Sequence, residues 1–182
     1  MSKIQVPLEN LSKPTPASFF LIVSYESEEV FFQVKEFAEN SFSKSMYESV
    51  ALPKWILPDS DKMLYTSGNL TRILSFTRRI HREELPSLFK ECLAITKKLR
   101  KKDPTIRLIP GYMTSHNVVI ASAIDDFHRM YLFHGVYGEL VYKYIKSQLV
   151  PQEVSPPFFH TKEALYFFAN LRDAHEFHLK KK

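Results

Sequence analysis

The sequence predicts an α+β domain with a ferredoxin-like βαββαβ core, an appended antiparallel β-meander and a C-terminal helix. Two observations lead there. Over residues 17–109 the hydrophobic spacing switches between strand-like runs and helical periodicity in the order β-α-β-β-α-β, the split βαβ pattern. Through Pro110–Tyr144 apolar residues then alternate with polar ones, as in paired strands with one wet face. Composition sets the scale. A chain of 182 residues, 45% hydrophobic and 25% charged, builds one good core and leaves little room for a second domain.

The elements follow in chain order. Residues 1–16 are polar, with Pro7, Pro14 and Pro16, and read as a flexible arm; residues 17–182 read as a single domain. The continuous apolar run Ala17–Tyr25 suits a strand buried on both faces. Ser27 is placed to cap a helix over 28–42, with Glu28 and Glu29 in the dipole-favoured first turn and Val30, Val34, Phe37, Ala38 and Ser41 on one face. Lys44–Leu57 reads as a strand bent at Pro53, Pro58–Asp61 as a turn, Gly68 as another turn and Leu70–Thr77 as a strand. A second helix over about 82–101 aligns Leu85, Leu88, Cys92, Ile95 and Leu99, and carries Pro86 in its first turn. Ile106–Ile109 is the fourth strand of the core, whose two helices are expected on one face of the sheet.

The meander takes Asn117–Ala123, His128–Phe133 and Tyr137–Ile145 as strands, with Gly135 at a turn. Val150–Phe159 is a proline-rich loop. Thr161 caps a last helix whose shared face is Leu165, Phe168, Leu171, His175 and Leu179. Fifteen Phe and nine Tyr make the core aromatic-rich.

Several chemistries are excluded. The single cysteine, Cys92, rules out an internal disulfide and a Cys-based cluster, and its apolar setting marks an inert thiol. Four scattered glycines build neither a phosphate-cradling loop nor a Rossmann turn, and there is no G-x-S-x-G elbow. The paired His-x-Ser/Thr motifs of ferredoxin-like phosphoesterases are missing, because no histidine is followed two residues on by Ser or Thr. His175 and His178 read as a solvated helix face rather than a metal pair, and Asp125–Asp126 as a hairpin turn; no cofactor or metal is expected. The net charge of +5 includes Lys180, Lys181 and Lys182, so the body is only mildly basic. Arg72, Arg78, Arg79, Arg82 and the run Lys97–Lys102 read as a solvated surface, and nucleic acid is not an expected partner. The first residues lack the apolar core of a signal peptide, and no apolar run approaches the roughly 20 residues that span a bilayer; no membrane association and a cytoplasmic setting are expected.

The chemistry-bearing residues gather in Pro110–Tyr144, which holds three of the four glycines, three of the seven histidines and five of the nine tyrosines. Alternation puts Arg129, Tyr131 and Phe133 on one strand face, His128, Met130 and Leu132 on the other, and brings Arg129 near Glu139 or Lys143 of the next strand. A cross-strand ion pair among aromatics is one reading. The sharper one is a pocket in which Arg72 and Arg129 hold a small anion, Tyr112 and Tyr137 wall it, and His128 acts as donor or general acid–base with Glu139 as its orienting partner. The expected function is therefore a non-catalytic small-anion-binding or protein-interaction module, with an enzyme acting on a phosphate- or carboxylate-bearing substrate as the alternative.

The segments PGYMT, VVIASA, FHRMYL and GVYGELVY, in that order over residues 110–145, resemble an uncharacterised bacterial domain-of-unknown-function family, family 4416. Gly68, Leu70, Arg72, Ser75, Phe76 and Lys90 extend the resemblance upstream. The matching positions are Pro110, Gly111, Tyr112, His128, Arg129, Tyr131, Gly135, Tyr137 and Glu139. The chain departs at Ile109, where the family carries an Asp, and across Glu153–Phe158, where Pro157 stands in place of its second acid. A function resting on those acids would be lost here. The resemblance brings no activity with it.

Overall fold

The computed structural model describes residues 11–55 and 67–180. Its elements are β1 (Ala17–Tyr25), α1 (Glu28–Ser41), β2 (Ser45–Glu48), β3 (Leu52–Pro53), β4 (Leu70–Ile80), α2 (Leu85–Leu99), β5 (Arg107–Met113), β6 (Asn117–Ser122), β7 (Arg129–Phe133), β8 (Val136–Ile145), β9 (Gln148–Pro151) and α3 (Lys162–Lys180). One antiparallel sheet runs in the order β2-β4-β1-β5-β6-β8-β7, with β3 beside β4 and β9 beside β8. A mixed α/β protein with a mostly antiparallel sheet and meander strands is thus what the sequence pattern led us to expect.

The central strand explains the two layers on the sheet. All nine residues of β1 are buried. Phe19, Leu21, Val23 and Tyr25 pack on one side with Val30, Phe31, Val34 and Ala38 of α1 and Leu85, Leu88, Cys92, Ile95 and Leu99 of α2. Phe20 and Ile22 pack on the other with Trp55, Phe158 and Phe159, and with Phe167, Phe168 and Leu171 of α3. The two core helices share a face; the last helix covers the opposite one. Ser27 caps α1 by accepting from the Val30 N–H at 3.3 Å, and Thr161 caps α3 by accepting from the Ala164 N–H at 3.3 Å.

Several boundaries differ from the sequence reading. Pro110–Met113 complete β5 rather than opening the meander; Pro110 keeps its place because β1 and β6 supply the remaining ladder bonds around it. Lys44–Leu57 is not one bent strand: it breaks into β2 and the two-residue β3, and residues 56–57 lie outside the described residues, as does the Pro58–Asp61 turn. The second helix begins with a 3-10 turn at Arg82–Glu84 before Leu85. In α3 the buried stripe is Ala164, Phe167, Phe168, Leu171 and His175, so Leu165 is displaced to the surface. In α1, Phe31 takes the core position and Phe37 is exposed.

Gly111 and Gly135 are held by different constraints. Gly111 lies under Phe20, and a Cβ there would stand 2.3 Å from the Phe20 ring and 2.6 Å from the Val119 carbonyl oxygen. His134 (φ 50°) and Gly135 (φ 75°) join β7 to β8 with positive φ at both central residues, as a type I′ hairpin turn requires. The two positions should fail differently on substitution. Gly111→Ala is expected to cost about 2–3 kcal/mol through overpacking, and Gly135→Ala about 1 kcal/mol through backbone strain alone. Urea unfolding of both variants measures the contrast.

Candidate functional site

A single row of cross-strand neighbours, Phe20, Gly111, Ile120, Glu139 and Arg129, crosses β1, β5, β6, β8 and β7. Neighbours in such a row share a face. Its apolar end sits in the core with α3, and its charged end lies near the sheet edge. There Arg129 Nε donates to Glu139 Oε2 at 2.8 Å, with both side chains 1% exposed. Arg129 Nη1 also reaches the Ile124 carbonyl oxygen at 3.4 Å. The Arg129–Glu139 neighbourhood anticipated from alternation is therefore a direct, buried, charge-assisted pair.

His128 joins this pair by a route the alternation did not foresee. It precedes β7, in the turn after Asp126, instead of occupying the strand. From there its Nε2 lies 3.4 Å from Glu139 Oε1 and its Nδ1 lies 3.8 Å from Asp126 Oδ1. Neither imidazole nitrogen, nor Glu139 Oε1, makes a hydrogen bond among the described residues. The Phe127 ring packs edge-on against the imidazole at 4.9 Å. Tyr137 is on the same sheet face, half-buried, with Tyr131 edge-on at 5.5 Å across the β7–β8 pair.

The other two residues of the sequence cluster lie elsewhere. Tyr112 pairs with Phe19 and Val119 and packs on the α1–α2 side, where burial raises its hydroxyl pKa. Arg72 is also on that side, on β4, three places along the sheet order from β6. It works as a clasp. Nε donates to Tyr25 Oη at 2.9 Å, Nη1 to Glu48 Oε1 at 2.6 Å and Nη2 to Glu28 Oε1 at 3.2 Å, while the guanidinium covers the Phe31 ring at 4.9 Å. Burial foremost pushes the Tyr25 hydroxyl up to about 12. The structure thus brings His128, Arg129, Tyr137 and Glu139 together and keeps Arg72 and Tyr112 apart from them. Ile109, at the position of the family's Asp, is buried in the apolar cluster beneath α3.

A second polar cluster escaped the sequence reading. His175, placed by the sequence on the shared helix face with Leu171 but also read with His178 as solvated, is 1% exposed. Arg79 Nη2 donates to its Nδ1 at 2.6 Å, and Ser18 Oγ lies 2.9 Å from the same nitrogen. A guanidinium only donates, so Nδ1 carries the lone pair and the neutral ring holds its proton on Nε2. Burial first, then the charge of Arg79, drives the imidazole down to about 4. The available signal was the four-residue spacing from Leu171, which puts His175 on the buried stripe.

A groove runs between β2–β3 and α3, past Tyr47, Leu52, Tyr166 and Phe167; its lining includes Glu48 but none of His128, Arg129, Tyr137 and Glu139. No group of three or more metal-ligating side chains is present among the described residues. No helix among them is long and apolar enough to cross a membrane. Burial raises the Cys92 thiol's pKa, which leaves it an inert core residue.

Residues 15–175 match the model of the family described as Domain of unknown function (DUF4416). The match takes in the resemblance seen over residues 110–145 and extends it across the core. No curated protein and no solved structure matches the chain.

Two outcomes follow from this geometry. Glu139→Gln leaves the buried guanidinium of Arg129 short of its carboxylate and should cost about 3–5 kcal/mol, whereas the double variant Arg129→Met, Glu139→Leu should recover most of that loss; a double-mutant cycle by urea unfolding reads both. His175 takes its proton near pH 4 when folded and near 6.5 when unfolded. Between those values the unfolded chain binds more protons, so stability rises with pH across the interval and levels off above it, by on the order of 2 kcal/mol. Thermal unfolding from pH 4 to 7 should show this slope, and His175→Gln should flatten it.

Proposed function

The chain belongs to the DUF4416 family, and we propose that it is a non-catalytic protein-interaction module that pairs with a second copy of itself through β7. One observation carries this reading. On β7, Met130 is 67% exposed, Tyr131 61%, Leu132 38% and Phe133 59%, next to Phe127 at 86%. This strand is a sheet edge, pairing only with β8 among the described strands. Edge strands of monomers are usually protected by charge, proline or brevity. The opposite edge follows that rule: Glu48 of β2 is held by Lys35 and Arg72, and Pro53 sits in the two-residue β3. Met130–Phe133 carries no charge and is apolar on both faces.

The occupant follows from that lack of charge. A partner strand must be uncharged and apolar on both faces, and β7 itself has those properties. Antiparallel pairing about Tyr131 sets Met130 opposite Leu132 of the second copy and makes a closed two-fold contact. The buried Arg129–Glu139 pair supports the reading by pinning the first residue of β7 to β8. The scaffold we infer is ferredoxin-like over β1–β5: the order β2-β4-β1-β5, with α1 and α2 on one face, supports it. A cytoplasmic setting agrees with the single buried thiol.

A second reading, an enzyme with His128 as general acid–base oriented by Glu139, has the 3.4 Å His128–Glu139 approach in its favour. Against it, the groove between β2–β3 and α3 lies away from these groups. Arg129 and Arg72, the proposed anion holders, both engage the protein's own carboxylates.

Sedimentation velocity across the micromolar range tests the interaction. The wild type should form a dimer. Met130→Lys combined with Tyr131→Lys, at two exposed positions, should give a folded monomer with an unchanged far-UV spectrum. A wild type that stays monomeric throughout, or a variant that dimerises equally well, overturns the proposal.

A further inference from the structure

Where the C-terminal half of α3 crosses β1 and β4, a small cavity of about 20 Å³ opens beside Ser18, Thr77, Arg79 and His178, floored by Met46 and Phe76. Arg79 faces Ser18 across the β1–β4 pair. Its hydrogen bonds among the described residues run from Nη2, to His175 Nδ1 at 2.6 Å and to the Pro16 carbonyl oxygen at 3.3 Å. Both acceptors are neutral. The neighbouring acids are committed to other arginines, Glu84 to Arg78 and Glu176 to Arg172, and no carboxylate among the described residues pairs with Arg79.

A half-buried guanidinium held only by neutral groups is costly, because the lost hydration of the ion is not replaced by a counter-charge. Here burial lowers its pKa and no acid opposes that shift. His175 is held neutral by burial first and then by the charge of Arg79, while Glu176, paired with Arg172, pulls the other way. His178 donates Nδ1–H to the Ala174 carbonyl oxygen at 2.7 Å, which turns its other ring nitrogen away from that bond.

We propose that this cavity is a small-anion site, in which a monatomic anion, or one oxygen of an oxyanion entering from the open side, accepts N–H bonds from the Nη1 and Nε side of Arg79. The volume limits the occupant. A cavity of about this size holds roughly one water-sized body, so a halide fits whole, whereas phosphate or sulfate reaches in by one corner. The site is separate from β7 and does not depend on the self-pairing proposed for that strand.

The test is a titration of the full-length protein with chloride, phosphate and sulfate in turn, at constant ionic strength set by a bulky sulfonate. The readouts are melting temperature and the imidazole NMR signals of His175 and His178. At least one anion should raise the melting temperature and shift both imidazoles saturably. The arms separate a halide site, saturated by chloride alone, from an oxyanion site saturated by phosphate or sulfate. Arg79→Gln should abolish the response, Arg79→Lys should keep part of it, and Arg100→Gln, at the exposed end of α2, should leave it intact. If Arg79→Gln unfolds, the wild-type imidazole shifts still decide the matter. The proposal falls if no anion shifts the imidazoles saturably, or if a folded Arg79→Gln responds as the wild type does.

Discussion

Nine consecutive buried residues in β1 oblige both faces of the sheet to be covered, and the rest of the chain is arranged to meet that demand. Each large side chain buried here stabilises by roughly 1.5–3 kcal/mol, but only if something lies over it. On one side α1 and α2 supply aliphatic residues over Phe19, Leu21 and Val23. On the other, Phe20 and Ile22 need a cover the βαββα half does not contain, and it comes from the end of the chain. Phe168 stacks edge-on over Phe20 at 4.9 Å, and Phe159 and Phe158 seal Trp55 at 5.4 and 4.7 Å. The terminal helix is therefore part of the core. The meander between them widens the sheet on which this cover rests.

The same logic explains why charge is tolerated in the sheet. Moving outward along the row from Phe20, the row turns from apolar to charged between Ile120 and Glu139, while the main packing of α3 on the sheet falls on β1, β5 and β9. A buried carboxylate at that point requires a partner, and the direct opposite across the ladder is Arg129. The pair fixes the register at the start of β7, where a slip of one residue would turn every side chain to the other face. The strand then leaves the sheet's own packing with its apolar side chains outward. A well-anchored edge with an uncovered apolar surface differs physically from a frayed one, and the self-pairing proposed for β7 rests on this combination.

Much of this was legible in the sequence. The Ser27 and Thr161 caps, the α2 stripe from Leu85 to Leu99, and the strand alternation that puts Arg129 beside Glu139 all follow from local rules that depend on few neighbours. What failed was what needs three-dimensional context. Pro110 looks like a strand breaker, yet β5 runs through it. Leu165 and Phe37 have the right spacing for a core stripe but lie on its rim, where a rotation by one residue exchanges buried for exposed. For His175 the register with Leu171 points inward, as the shared helix face predicts, while the polar neighbours His178 and Lys180 suggest a solvated face, and burial follows the register. Arg72 and Arg129 were grouped by residue type, and sequence carries no information that they occupy opposite faces.

Three arginines of the sheet, Arg72, Arg129 and Arg79, separate chemically by what surrounds them. Arg72 has two carboxylates, a phenol and a ring beneath it. Arg129 has Glu139 in full contact at 2.8 Å. Both sites are close to neutral, and an incoming anion would have to displace a carboxylate already desolvated and in place, against an attraction that burial makes stronger. Among the described residues Arg79 has only a carbonyl oxygen and an imidazole kept neutral by burial first and then by that arginine's own charge. An anion arriving there displaces no charge and relieves a repulsion. Basic residues in a folded domain are thus poor predictors of anion binding until their partners are known, and here the arginine that looked most like surface is the one whose charge is left for something else to balance.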